Sequence, residues 1–128
     1  MTESQPQPTS AELELLNILW ERGPSTVRQI HEVVSGSRQT GYTTTLKILQ
    51  KMFDKGLVKR DESSRSHIYK PAVQAEKTQR QLVNDLIEKA FGGAAEKLVM
   101  QALSSRQVTP EEIETLRKLL DSLEKRSS

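Results

Sequence analysis

The segment Tyr42–Lys55 has the sequence YTTTLKILQKMFDK and is followed directly by Gly56. Apolar residues recur in it every three or four positions, which predicts an amphipathic helix that ends at the glycine. Its apolar face consists of Leu46, Leu49, Met52 and Phe53, with Ile48 beside it. Its polar face consists of Thr43, Lys47, Gln50 and Lys51, with Thr44 at the edge. Hydroxyl and amide groups suit base edges and ammonium groups suit phosphates, so this helix is predicted to bind DNA.

Two further helices are predicted before this segment. The first begins at Thr9 or Ser10, because Thr9 and Glu12 have the spacing of a capping box, and it ends at Gly23-Pro24. Its apolar face carries Leu13, Leu16 and Trp20, with Leu15, Ile18 and Leu19 beside them. The second helix is predicted to be capped by Ser25 and to end near Gly36. Its apolar stripe consists of Val27, Ile30, Val33 and Val34.

A β-hairpin is predicted directly after the Tyr42–Lys55 helix. Leu57-Val58-Lys59-Arg60 and His67-Ile68-Tyr69-Lys70 have the composition of strands, and the residues between them are polar and turn-forming. Three helices followed by a hairpin is the element order of a winged helix-turn-helix. The acidic pair Asp61-Glu62 would repel phosphates unless it points away from DNA. The DNA contacts predicted for this hairpin are Arg65 and His67.

The remainder of the chain, residues 72–128, is predicted to be helical and to dimerise. Thr109-Pro110-Glu111-Glu112 is a strong helix start, and the helix that follows has apolar residues at heptad spacing. An alternative interpretation is that the apolar residues of this helix face an internal core of the same chain. Short helices with little aromatic content form a poor isolated core, which favours self-association. The predicted interface residues are Leu82, Leu86, Leu98, Ile113, Leu116, Leu120 and Leu123.

The predicted fold class is therefore mainly α, with an N-terminal winged helix-turn-helix and a C-terminal helical dimerisation unit. Residues 1–9 are expected to form a disordered arm, residues 10–71 the DNA-binding domain and residues 72–128 the dimerisation domain. The formal net charge of the whole chain is +2. Residues 23–70 alone contain nine bases and four acids, a net charge of +5, so positive charge is concentrated in the predicted DNA-binding part.

Several classes of function are disfavoured by composition. The chain has no cysteine, which excludes disulfides and thiolate metal sites. Neither His31 nor His67 has a partner at metal-ligand spacing, so no metal and no other cofactor is predicted, and His31 is interpreted as a packing or surface residue. No arrangement of serine, histidine and acid favours an enzyme. The chain lacks an apolar run of membrane-spanning length and a signal-peptide pattern, so a cytoplasmic protein with no membrane insertion is expected.

Several short motifs follow one another between about Ser10 and Glu124. They are Ala11-Glu12-Leu13-Glu14 with Leu19-Trp20, Thr26-Val27-Arg28, Gly41-Tyr42-Thr43-Thr44-Thr45-Leu46, Lys55-Gly56-Leu57-Val58, the return strand from Arg65 to Pro71, and Thr109-Pro110-Glu111-Glu112-Ile113. No motif is decisive alone, but their order and spacing are fairly specific. The chain resembles the penicillinase-repressor family of bacterial transcriptional regulators, which includes the BlaI, MecI and CopY types.

The resemblance implies a homodimer that binds an inverted-repeat DNA operator and represses transcription. Carried over by position, Thr43, Thr44, Lys47 and Lys51 correspond to contacts of the recognition helix, and Arg65 to a contact of the wing. The full set of predicted DNA-binding residues is Thr26, Thr43, Thr44, Lys47, Gln50, Lys51, Arg65 and His67.

The resemblance also suggests how repression would be relieved. Relatives that respond to β-lactams are inactivated by cleavage in the C-terminal unit, and the matching position here is Gln101-Ala102. Gln101, Ala102 and Leu103 are thus the candidate cleavage region, with a membrane metalloprotease sensor as the implied partner. Copper-responsive relatives use C-terminal cysteines, so that mode of induction is excluded. Two alternatives stay open: a C-terminal unit that senses a small ligand directly, and a winged helix that binds protein instead of DNA.

Overall fold

The computed structural model describes residues 7–127 of the chain. Its elements, in order, are α1 (Ser10–Arg22), β1 (Ser25–Thr26), α2 (Val27–Ser37), α3 (Tyr42–Lys55), β2 (Val58–Asp61), β3 (Ile68–Pro71), α4 (Ala75–Ala90), α5 (Ala95–Ser104) and α6 (Pro110–Ser127). The contacts divide the described residues into one unit that ends at Val83 and a second that begins at Asn84. Most of the predicted N-terminal arm, residues 1–6, lies outside the described residues.

Helix α1 begins with the predicted capping box. The Thr9 hydroxyl accepts a hydrogen bond from the Glu12 backbone N–H at 3.2 Å, and the Glu12 carboxylate accepts one from the Thr9 N–H at 2.9 Å. The helix ends at Gly23, whose φ of +88° is a conformation that glycine adopts without steric cost. The buried face of α1 is rotated about the helix axis by part of a turn from the predicted apolar face. Its buried residues are Glu12, Leu15, Leu16 and Leu19, whereas Leu13 and Trp20 are only half-buried.

Thr26, and not Ser25 as predicted, caps helix α2. Thr26 and Gln29 form a second capping box, with hydrogen bonds of 3.2 and 2.9 Å. Ser25 is buried, and its hydroxyl donates to the Gly23 carbonyl at 2.9 Å. On α2 itself, Val27, Ile30 and Val34 are buried, but Val33 is 36% exposed and does not belong to the core as predicted.

The sheet has three strands in the order β1-β3-β2, where the sequence predicted only the hairpin of β2 and β3. The hairpin is antiparallel and pairs Val58 with Pro71 and Arg60 with Tyr69. Each strand lies one residue later than predicted, so Leu57 and His67 precede the strands that they were expected to begin. The added strand, β1, pairs Ser25 with Tyr69 and thereby joins the start of α2 to the hairpin.

One hydrophobic core holds the first unit together. Its buried residues are Leu15, Leu16, Leu19, Val27, Ile30, Val34, Leu49, Met52, Leu57, Val58, Tyr69 and Val73. Trp20 packs against this cluster and donates its indole N–H to the Val73 carbonyl at 3.0 Å. Because these residues come from α1, α2, α3 and the sheet, the core positions the polar face of α3 relative to the hairpin.

The second unit contains no comparable core among its described residues. Neither α5 nor α6 has a buried residue. Helix α6 begins with the predicted capping box, in which the Glu112 N–H donates to the Thr109 hydroxyl at 3.1 Å. Large apolar side chains of α5 and α6 are exposed, namely Val99, Met100, Leu103, Ile113, Leu119, Leu120 and Leu123.

Candidate nucleic-acid interface

The polar face predicted for the Tyr42–Lys55 helix is exposed in the structure. It consists of Thr43, Thr44, Lys47, Gln50 and Lys51. On the other side of the same helix, Leu49 and Met52 are fully buried, and Leu46, Ile48 and Phe53 pack partly against the core. The third threonine, Thr45, is only 2% exposed and so lies on the core side. Burial of one face presents the hydroxyl, amide and ammonium groups of the other to solvent.

The start of α3 is suited to a phosphate. Its N-cap residue, Gly41, offers no side-chain hydrogen bond, and the first turn contains no acidic residue. The first N–H groups of a helix lack partners within the helix, and they lie at the positive end of the helix dipole. An anion placed at this end would accept hydrogen bonds from the backbone without repulsion from a nearby carboxylate.

A groove of about 450 Å³ lies where the start of α2, helix α3 and the hairpin meet. Four of the predicted DNA-binding residues line it, namely Thr26, Gln50, Arg65 and His67. The other lining residues are Val27, Arg28, Tyr42, Leu46, Arg60, Ser66 and Tyr69. The remaining predicted residues, Thr43, Thr44, Lys47 and Lys51, lie on the exposed part of α3 outside this lining.

The hairpin acids are occupied by local contacts. Glu62 pairs with Arg60 at 2.8 Å, and the Arg60 guanidinium lies 4.0 Å from the centroid of the Phe53 ring. Hydrogen bonds to Tyr69 and to Glu62 raise the pKa of Arg60. Asp61 accepts a 2.9 Å hydrogen bond from the Ser63 backbone N–H, and hydrogen bonds from the Ser63 side chain and backbone lower its pKa.

Arg65 differs from Arg60 because it forms no ion pair with any residue in the described part of the chain. Its charge is therefore directed at solvent beside the groove, while the charge of Glu62 is offset by Arg60. Of the two hairpin acids, Glu62 would therefore repel a phosphate less than an unpaired carboxylate, whereas Asp61 keeps its negative charge.

Helices α2 and α3 are joined by a polar contact near the start of α3. His31 Nδ1 lies 3.0 Å from the buried Thr45 hydroxyl oxygen. The ring of His31 also meets the ring of Tyr42 edge-on, with centroids 5.6 Å apart and an interplanar angle of 76°. His31 is half-buried.

A second polar contact lies at the other end of α3. Lys55 Nζ is 2.6 Å from Glu12 Oε1, and the Glu12 side chain is only 3% exposed. Burial raises the pKa of Glu12, but hydrogen bonds from Lys55 and from the Thr9 backbone outweigh that effect and leave the pKa below its ordinary value. A positive charge in the last turn of a helix also interacts favourably with the helix dipole.

Four groove residues with accessible polar groups were not predicted as DNA contacts, namely Arg28, Tyr42, Arg60 and Ser66. A signal existed for Arg28, because it belongs to the Thr26-Val27-Arg28 motif, whose threonine was itself a predicted DNA contact. For Tyr42, the sequence predicts only that it begins a helix. Its place in the groove depends on the position of the hairpin, which local sequence patterns do not specify.

Within residues 7–127, no three histidine or acidic side chains converge on a point that could hold a metal ion. None of the helices in that part of the chain has the length and apolar character that crossing a membrane requires.

Comparison with known proteins gives a consistent result. The sequence model of the penicillinase repressor family matches residues 8–122. The transcriptional regulator BlaI of Mycobacterium tuberculosis is 32% identical over 114 residues, which cover 88% of this chain and 82% of that protein. The penicillinase repressor of Staphylococcus aureus is 21% identical over 126 residues, which cover 98% of this chain and 100% of that protein.

Among solved structures, the chain is similar to the monomeric form of Bacillus licheniformis BlaI in complex with the blaP half-operator. The TM-score is 0.51 at 20% identity, and the match covers 59% of this chain and 92% of that one. At this level of identity the likeness concerns the fold, which is that of a winged helix.

Proposed function

Since this chain belongs to the penicillinase repressor family, a family of DNA-binding transcriptional repressors, we propose that it represses transcription as a homodimer on an inverted-repeat operator. The observation that supports this most is the exposed polar face of α3 beside a groove lined by arginines of α2 and the hairpin. The family consists of regulators and not of enzymes.

The polar face of α3 would enter the major groove. Thr43, Thr44 and Gln50 offer hydroxyl and amide groups that can exchange hydrogen bonds with base edges. Lys47 would bind guanine or a phosphate. Lys51 lacks the planar fork with which arginine binds guanine, so a phosphate contact suits it better.

The groove beside α3 would hold one strand of the DNA backbone. Arg65 and His67 would contact it from the hairpin, and Thr26 from the start of α2. We add Arg28 to this set, because it is exposed and lines the same groove. Contacts of this kind set the orientation of the protein on the duplex but do not read sequence.

Dimerisation would be a function of the C-terminal helices. Helices α5 and α6 have no buried residue although both carry several large apolar side chains. A second copy is the occupant that fits this face, because an inverted-repeat operator requires two identical units related by a twofold axis. The residues that we assign to the interface are Leu82, Leu86, Leu98, Ile113, Leu116, Leu120 and Leu123.

Relief of repression would act on the same helices. Gln101, Ala102 and Leu103 are exposed in the last part of α5, where a protease could reach them. We propose cleavage in this region, with a membrane metalloprotease sensor as the agent, because it would remove α6 from the DNA-binding part of the chain. We also propose a cytoplasmic location for the protein, because the operator DNA that it would bind lies in the cytoplasm.

The proposed DNA-binding face can be tested with the double variant T43A/K47A. We expect it to lose binding to operator fragments recovered by genome-wide footprinting of the wild-type protein, because base contacts contribute about 1–3 kcal/mol each. Binding would be measured by fluorescence anisotropy, and dimerisation by sedimentation. Wild-type binding should also weaken steeply with salt, since several phosphates would be neutralised.

The matched control is K77A, which removes an exposed lysine from α4. Its operator affinity should equal that of the wild type. Unchanged affinity in T43A/K47A would contradict the assignment of α3 as the recognition helix.

A further inference from the structure

The first turn of α3 has few polar contacts that hold it in place. Its N-cap residue, Gly41, makes no side-chain hydrogen bond. Within the described residues, the hydrogen bond between Thr45 Oγ1 and His31 Nδ1 is the side-chain hydrogen bond that ties this turn to another helix. Because Thr45 is almost fully buried, water has little access to replace His31 as its partner.

The same histidine also contacts the first residue of α3. The Tyr42 ring stands edge-on to the His31 ring at a centroid distance of 5.6 Å, a favourable arrangement for two aromatic rings. Tyr42 is 46% exposed and lines the groove together with Gln50 and Arg65. His31 therefore contacts α3 on both sides of Thr43 and Thr44, the two threonines at the start of the proposed recognition face.

We propose that His31 is a positioning residue of the DNA-binding surface. Through Thr45 and Tyr42 it holds the first turn of α3 against α2, and it thereby sets the preference of the protein for its operator over other DNA. The inference rests on the proposed function, because it assumes that α3 reads DNA.

Loss of the His31 contacts should weaken binding to the operator more than binding to other DNA. Hydrogen bonds to base edges depend on the direction of donor and acceptor, so a small displacement of Thr43 and Thr44 weakens them. Attraction between lysine or arginine and the phosphates depends mainly on charge and tolerates such a displacement. The body of α3 is held independently by Leu49 and Met52 in the core, so loss of the His31 contact leaves the fold in place.

The experiment compares two duplexes of equal length, an operator fragment recovered with the wild-type protein and a scrambled version of it. Four variants are measured over a series of salt concentrations. H31A removes both contacts, T45V removes only the hydroxyl, H31A/T45V combines them, and H31N restores a polar atom near the position of Nδ1. S35A is the control, because Ser35 is exposed on α2 and bonds only within its own helix.

We expect T45V to weaken operator binding about tenfold, the equivalent of one lost hydrogen bond. H31A should weaken it at least as much, because it also removes the contact with Tyr42. Affinity for the scrambled duplex and the salt dependence should stay as in the wild type. The double variant should be no weaker than H31A alone, since both changes remove the same contact. H31N should recover part of the operator affinity, and S35A should match the wild type.

Two results would overturn the inference while leaving the proposed function standing. One is an equal loss of affinity for both duplexes, and the other is a double variant whose losses multiply. Thermal unfolding of each variant shows whether a loss reflects the amount of folded protein. A wild-type protein that retains no DNA fragment even at low salt would instead overturn the proposed function itself.

Discussion

Glu12 shows how a single charged residue is accommodated beside an apolar core. Its side chain is buried on the same face of α1 as Leu15 and Leu16, yet its carboxylate accepts hydrogen bonds from Lys55 at 2.6 Å and from the Thr9 N–H at 2.9 Å. A buried charge is tolerated only when it is paired and hydrogen-bonded. The start of α1 is consequently joined to the end of the proposed recognition helix.

This pairing predicts a stability that depends on pH. The pKa of Glu12 in the folded protein lies below its ordinary value of 4.5, so its contribution is present above that pH and is lost as pH falls through the folded-state pKa. We expect E12Q to lower the free energy of unfolding at neutral pH by about 2 kcal/mol. In urea unfolding experiments, the difference in free energy of unfolding between E12Q and the wild type should become smaller below about pH 4.

The control is E14Q, because Glu14 pairs with Arg38 at a similar distance of 2.8 Å but on the exposed surface. Such a surface pair contributes less than about 1 kcal/mol. A difference between E12Q and the wild type that stays constant from neutral to acidic pH would exclude this account of Glu12.

Thr45 marks the limit of residue-level prediction. The three threonines after Tyr42 are identical in type, and the helical period places Thr43 on the exposed face as the structure does. The period also places Thr45 on the core side, since the buried Leu49 and Met52 follow it by four and seven residues. The hydrogen-bonding partner of its hydroxyl, His31 at 3.0 Å, lies fourteen residues earlier. Local periodicity contains no information about such a partner.

At the level of elements, the helix starts were the most predictable features. The capping boxes at Thr9 and Thr109 were identified from the spacing of threonine and glutamate, and both are present. The box at Thr26 and Gln29 has a related spacing, with glutamine in place of glutamate, whereas the sequence analysis predicts Ser25 as the cap. The two-residue strand β1 was not predictable, because it exists only through its pairing with Tyr69 and Ile68.

Two glycines should respond in opposite directions to substitution by alanine. Gly56 ends α3 with a φ of +82°, in the left-handed region, so G56A should destabilise the protein by about 1–2 kcal/mol. Gly36 lies within α2, and a methyl group added there would meet nothing within 4 Å. G36A should therefore stabilise the protein by about 0.5–1 kcal/mol.

Both variants would be measured by chemical denaturation at constant protein concentration. Each serves as the control for the other, since the chemical change is identical and only the backbone conformation differs. Destabilisation by both substitutions would argue against the helical placement of Gly36.

In the whole molecule, the two units differ in how they are stabilised. The first has a shared core, whereas α5 and α6 have no buried residue. The low aromatic content and the apolar stripes predicted C-terminal helices that form a poor core by themselves. The extent of the first unit was not apparent from sequence, because Val73 and Thr78 are buried beyond the end of the hairpin at Pro71.

If the C-terminal helices form the dimer, the variant L116N/L120N should be monomeric. Burying a leucine at an interface contributes about 1.5–3 kcal/mol. In a homodimer each substitution is present in both subunits, so this contribution is lost twice for each leucine replaced. Sedimentation velocity measures the change directly. Affinity for a full inverted repeat should fall much more than affinity for a half-site, because the two subunits would no longer bind together.

The matched control is K118N/D121N, which makes the same substitution at two exposed polar positions of α6 and leaves the net charge unchanged. It should remain dimeric. If L116N/L120N is still a dimer, the interface would instead be assigned to the apolar residues of α4 between Leu82 and Ala90.

The exposed polar face of α3 has a consequence for evolution. Its residues, Thr43, Thr44, Lys47, Gln50 and Lys51, alternate along the helix with the side chains that form the core, yet none of the five is buried. Substitutions at exposed positions usually change stability by no more than about 0.5 kcal/mol. Duplicated genes could therefore diverge at these five codons and acquire new operators, while the selection that maintains folding acts on neighbouring codons.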